Sequence, residues 1–114
     1  MKTNSITIVG HVGLKPETKE LSNDKQVTKF LVAHSNPRTN ITEWFTVDCW
    51  NQELGESILK SVTKGSRVKV TGSLRVNRYE KKDGSRDFRL VIMLDEYQLL
   101  SDQEEEQPDK SKVA

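Results

Sequence analysis

Between Thr42 and Trp50 (TEWFTVDCW) the chain alternates with a period of two, placing Trp44, Thr46, Asp48 and Trp50 on one face of a strand and Phe45, Val47 and Cys49 on the other. The second set predicts a core face. The first sets two tryptophans beside a hydroxyl and a carboxylate, and burying it would strip water from both polar groups. It predicts an outward face bearing aromatic platforms. Ser66 to Tyr79 repeats the pattern: Val68, Val70, Leu74 and Val76 fall in register with Gly72, and Arg67, Lys69, Thr71, Ser73, Arg75, Asn77 and Tyr79 fall on the other side.

The remaining elements follow from the same pattern. Asn4 to Val9 predicts a first strand that bends at Gly10 and Gly13, and Val27 to Ser35 a second with Phe30 and Val32 inward. A turn cluster at Ser22 to Lys25 precedes the second strand and a loop at Asn36 to Asn40 follows it. After Trp50 the period lengthens, because Leu54, Ile58 and Val62 stand four apart. One short helix is expected, capped by Asn51 and ended by Gly65. Asp83-Gly84 signals a hairpin, and a fifth strand from about Arg86 to Leu99 turns Phe88, Leu90, Ile92 and Leu94 toward the core. That leaves Val91 and Met93 facing water in a single chain, covered only if a second copy packs there.

Three strands, one helix and two strands is the order of the OB fold, an all-β five-stranded barrel with one short helix between strands 3 and 4. A five-stranded SH3-like barrel competes, but a full helix at this position sets the two apart. Residues 1–100 make one domain, as a chain of 114 residues suggests. Residues 101–114 hold five acids, two lysines and one aliphatic side chain, so a disordered acidic tail is expected.

Charge sharpens the picture. The formal net charge is only +1, yet Lys64 to Arg89 carries nine basic and three acidic residues, whereas 101–114 carries −3. Positive charge gathered into one stretch suits a polyanion. Cations and aromatics sharing strand faces form the combination that binds single-stranded nucleic acid, with charge following phosphates and rings stacking on bases. The candidate stacking residues are Trp44, Trp50 and Tyr79, and the candidate phosphate contacts are Arg67, Lys69, Arg75, Arg78, Lys81 and Lys82.

Enzyme chemistry has little support. His11 and His34 are the only histidines, Cys49 is the only cysteine, and no phosphate-binding glycine loop followed by lysine is present. No metal and no cofactor is expected. Asp48, between the tryptophans, has no nucleophile or second acid for company and suits a contact to a base amino group, or a limit on affinity. A lone cysteine excludes an intrachain disulfide, and no apolar run is long enough to span a bilayer or to serve as a signal peptide. A cytoplasmic, nucleoid-associated protein is expected.

Three motifs in order resemble the bacterial-type single-stranded DNA-binding proteins. Gly10 to Lys19 (GHVGLKPETK) is similar to that family's G-x-x-G-x-x-P-E-x-[KR], Thr42-Glu43-Trp44 to its T-E-W, and Lys64 to Arg75 (KGSRVKVTGSLR) to its K-G-S-x-V-x-V-x-G-x-L-R. The likeness covers residues 4 to 79. It implies stacking roles for Trp44, Trp50 and Tyr79, the three rings that strand parity places outward. It further implies coating and protection of single-stranded DNA in replication, recombination or repair, and assembly into a homotetramer, with a dimer second.

The chain also departs from that family. Ser35 to Arg38 offers no aromatic where the family has a further stacking ring near the end of strand two, and Phe45 stands where a histidine linked to subunit contacts is frequent. The stretch 101–114 lacks the long linker and Pro-Phe tip that recruit replication proteins, so no tip-dependent recruitment is expected. Tailless relatives such as primosomal replication protein N supply one alternative reading, and an OB-fold protein-interaction module supplies another.

Overall fold

The computed structural model describes residues 3–21 and 24–101. The expected disorder of the tail at 102–114, and Ser22 and Asn23 of the turn cluster, lie outside the described residues. Six strands and one helix follow in the order β1 (Ile6–Val12), β2 (Glu17–Glu20), β3 (Gln26–Asn36), β4 (Ile41–Cys49), α1 (Gln52–Ser61), β5 (Arg67–Glu80) and β6 (Arg86–Leu100).

The strands lie in the order β1-β5-β6-β4-β3-β2, and a further β1–β3 pairing closes five of them into a barrel. Closure is short, with His11 opposite Ala33 and Val12 opposite Val32. The His34 ring Nδ1 adds a 2.9 Å hydrogen bond with the Val9 carbonyl at this junction. The expected three strands, helix and two strands form this barrel. β2 is an addition: four exposed residues that pair with β3 at the sheet edge, where apolar alternation is not required. β1 does not end before Gly10 but runs through it to Val12, whose side chain is buried.

Phe30, Val32, Val47, Cys49, Val68, Val70, Ile92 and Leu94 fill the barrel from alternating positions, and Ile58 and Val62 close one end. Burying each such side chain contributes roughly 1.5 to 3 kcal/mol. Gly72 is required by this packing, since a Cβ there would stand 2.1 Å from the Met93 carbonyl oxygen at the irregularity where β5 and β6 slip register.

α1 begins as the pattern requires, with Asn51 Oδ1 accepting from the Leu54 N–H at 2.9 Å. It ends earlier than expected. Val62 leaves the helical conformation and drops its side chain into the core, and Gly65, at φ +92°, instead turns the chain toward β5. The Tyr97 hydroxyl lies 2.7 Å from Ser57 Oγ and 2.9 Å from Ser61 Oγ, tying α1 to β6. No helix among the described residues is long and apolar enough to cross a membrane.

The greatest difference from the sequence reading lies in β5 and β6, whose 14 and 15 residues outrun the barrel. Their outer halves form a two-stranded arm. Val76, Phe88 and Leu90 have the expected parity but lie beyond the buried core and are about half exposed, Phe88 by 58%. Val91 and Met93 depart in the other direction: Val91 is buried and Met93 half-buried. The parallel pairing of β6 with β4, Thr46 to Val91 and Asp48 to Met93, sets them into the floor of a concave outer surface rather than into open water.

Candidate nucleic-acid interface

The outer face of β4 is built as its alternation dictates, with Phe45 half-buried, Val47 and Cys49 buried, and Trp44 and Trp50 exposed by 58% and 43%. Six residues of extended chain put roughly 20 Å between the two tryptophans. Trp44 lies over Gly13, where a Cβ would come within 2.2 Å of the ring's Cζ3. Trp50 leaves the strand just before α1 and forms one wall of a concavity of about 430 Å³.

Val91 and Met93 floor that concavity, and Lys29, Asp48, Arg75 and Asn77 supply its polar groups. Arg75 reaches across β6, its Nη1 3.7 Å from Met93 Sδ. Register sets Lys29 of β3 opposite Asp48 of β4, and Lys29 Nζ donates to Asp48 Oδ1 at 3.0 Å. A second concavity of about 420 Å³ shares Lys19 and Lys29 with the first and continues past Thr46 to Lys15 and Arg89. One groove therefore crosses the barrel, with five cations (Lys15, Lys19, Lys29, Arg75, Arg89) against Glu17 and Asp48 on its lining.

Tyr79 sits on the arm, opposite Asp87, on the same side as Asn77 and Arg75, and the Arg89 guanidinium lies 5.0 Å from its ring centre. Arg78 is exposed on the arm's other side. At the tip, Lys81 Nζ is 3.1 Å from Asp87 Oδ2, and Lys82 is exposed. The turn is held by Asp83, whose Oδ1 accepts from the Ser85 hydroxyl at 2.6 Å and the Ser85 N–H at 2.9 Å, with Gly84 at φ +88°. Those bonds hold the Asp83 carboxyl below the usual carboxylate range. The Phe88 N–H, and secondarily Lys81, do the same for Asp87.

Of the nine residues singled out from sequence, Trp50 and Arg75 meet in the groove, Trp44 lies outside its lining over Gly13, and Tyr79, Arg78, Lys81 and Lys82 lie on the arm. Arg67 and Lys69 are not brought to the groove; they face His11 and Val9 of β1 on one side and Leu100 and Gln98 of β6 on the other. Sequence reasoning missed Lys15, Lys19, Lys29 and Arg89. Arg89 could have been found from the Asp83-Gly84 hairpin, which sets it opposite Asn77, beside Tyr79. Lys29 required the register between two strands joined by a loop. Among the described residues no group of three His, Cys, Asp or Glu side chains is placed to hold a metal ion.

Comparison with known proteins agrees with this geometry. Residues 3–100 match the Single-strand binding protein family. A single-stranded DNA-binding protein of Paenarthrobacter aurescens is 31% identical over 102 residues, covering 81% of this chain and 58% of the relative. Single-stranded DNA-binding protein 2 of Streptococcus agalactiae is 32% identical over 103 residues, covering 85% and 76%. This chain thus spans little more than half the length of the first and three quarters of the second. The solved structure of a Plasmodium falciparum SSB complex with ssDNA superposes with a TM-score of 0.77 at 28% identity, covering 89% of this chain and 97% of that one. With the barrel, the helix position and the matched sequence in agreement, the chain belongs to the single-strand binding protein family.

Proposed function

We propose that this chain binds and protects single-stranded DNA without strong overall sequence preference, as a binding protein rather than an enzyme, in replication, recombination or repair. The observation that carries this reading is the pair of exposed tryptophans, Trp44 on the outer face of β4 and Trp50 just past its end, the latter walling a groove lined by five cations. Bases stack on Trp44, Trp50 and Tyr79, and the strand's phosphates follow Arg75, Lys29 and Arg89 toward Lys81 and Lys82 at the arm's tip, with Arg78 reached on the arm's other side. Family membership and the superposed DNA complex support the same reading.

Titrating the chain with oligo-dT while following tryptophan emission tests it. Trp44→Ala or Trp50→Ala is expected to weaken binding by about 1 to 3 kcal/mol, the usual contribution of one aromatic platform. Unchanged affinity and quenching in both variants would move the interface elsewhere.

Assembly into a homo-oligomer, a tetramer before a dimer, belongs to the same proposal. The arm supports it: Val91 is buried within the single chain, whereas Val76, Phe88 and Leu90 form a half-exposed apolar face. Light scattering at micromolar concentration is expected to give a multiple of the chain mass, and Phe88→Glu to lower it. A single-chain mass for the parent would reject assembly.

A further inference from the structure

Asp48 is an unusual residue for the outer face of a strand, because only 6% of its side chain is exposed. Removing a carboxylate from water is expensive, and a single ion pair repays that cost only with good geometry and further hydrogen bonds. The geometry here is incomplete. One ion pair is in place, with Oδ1 taking the Lys29 ammonium at 3.0 Å, and Oδ2 is left for a second donor. The pair lines the Trp50 concavity, above the apolar Val91 and Met93 and across from Arg75 and Asn77. An aromatic wall, an apolar floor and a few convergent polar groups are the features of a small-molecule subsite.

The pair's chemistry selects among bases. A carboxylate only accepts and an ammonium only donates, so side by side they offer a flat ring one donor next to two acceptor oxygens. The Watson–Crick edge of guanine reads acceptor O6, donor N1–H, donor N2–H, and it complements every group of that array. Cytosine and adenine bring one donor, the exocyclic amine. Thymine has a single N–H between two carbonyls, one of which would confront the carboxylate.

We infer that the Trp50 concavity is a guanine-reading subsite: the base stacks on Trp50, N1–H and N2–H donate to Asp48 Oδ1 and Oδ2, and O6 accepts from Lys29 on the Oδ1 side. The inference rests on the outer face being the DNA interface. It adds a local preference to binding that is otherwise indifferent to sequence, since stacking and phosphate contacts elsewhere in the groove read no base.

The test compares three oligomers of equal length by quenching of tryptophan emission: all dT, dT with dG at every third position, and the same oligomer with hypoxanthine, which lacks the N2 amine, replacing guanine. Spacing the guanines avoids four-stranded assembly. The parent chain is expected to bind the guanine oligomer roughly tenfold more tightly than oligo-dT, in the range of one bidentate base contact. Hypoxanthine should lose a large part of that gain. In Asp48→Asn the guanine-to-thymine ratio should fall to within about twofold.

A parent with no guanine preference, equal binding of guanine and hypoxanthine, or a preference that persists in Asp48→Asn overturns the subsite. The hypoxanthine comparison uses the unaltered chain and so decides the matter even if Asp48→Asn fails to fold. Binding without preference rejects only the subsite. Failure to bind any of the oligomers rejects the interface and the subsite with it.

Discussion

Trp44 owes its position to a neighbour with no side chain, and two glycines illustrate how differently the same added methyl group would act. At Gly13 the obstructing atom is the far end of an exposed indole, which can swing aside; at Gly72 it is the Met93 backbone carbonyl, which cannot. Gly13→Ala is therefore expected to unfold in urea within about 1 kcal/mol of the parent. Its oligo-dT affinity should nevertheless fall toward that of Trp44→Ala, because the ring is displaced. Gly72→Ala is expected to lose about 1 to 3 kcal/mol of stability through overpacking. Equal urea midpoints for the two variants would contradict this distinction.

Cys49 makes a separate prediction at the same scale. Burial pushes its thiol up, so the group stays protonated at neutral pH and alkylation is expected to be slow until the barrel unfolds. Rapid labelling of the folded chain would show that the core is open there. Parity alone located Cys49 and both tryptophans, since alternation fixes which way a strand residue points. It could not show that Asp48, on the outward side, is covered, because that depends on Lys29 lying across from it.

Among the elements, the arm is where periodicity misled most. Val76, Phe88 and Leu90 point the way the pattern indicates, but a period of two reports direction and not whether anything stands opposite. The barrel is too short to meet them. Acid provides a probe of this arm. The depressed carboxyls of Asp83 and Asp87 favour the folded turn above their ordinary titration range, and that contribution is lost progressively as pH falls from that range through their lowered values. Protection of the Gly84 and Ser85 amides, taken relative to the intrinsic exchange rate at each pH, should therefore begin to fall in the usual carboxylate range and be lost in stronger acid. Asp83→Ala is expected to abolish that pH dependence. Protection that is unchanged from neutral pH into strong acid in the parent would refute the assignment.

For the whole molecule, the order of the five barrel strands and the helix was legible because each has a clear period, whereas the all-exposed β2 has none, and the two tryptophans marked an exposed outer face. The groove was less so, since its cations come from the β1–β2 connection, β2, β3, β5 and β6 and meet only when the barrel closes. Salt dependence separates groove cations from the rest. Each phosphate contact contributes about −0.7 to the slope of log affinity against log salt on a single strand. Arg75→Ala should flatten the slope by about that amount, and Lys69→Ala by less, because Lys69 lies outside the groove lining. The reverse ranking would route the phosphates across β1 and β5.

The short seam between β1 and β3, and the insertion of β6 between β5 and β4, also bear on how the molecule is made. β4 has no neighbour on one edge until residues 91–93 exist, and β1 waits for residues 67–72 to cover its own. Synthesis therefore runs most of its course before a ring of strands can form. Pairings between such distant stretches make folding slow, on the millisecond-to-second scale of all-β barrels. During that interval the apolar faces of β3 and β4 are open to other nascent chains, so output is expected to depend on chaperone supply more than the folded molecule's stability would suggest.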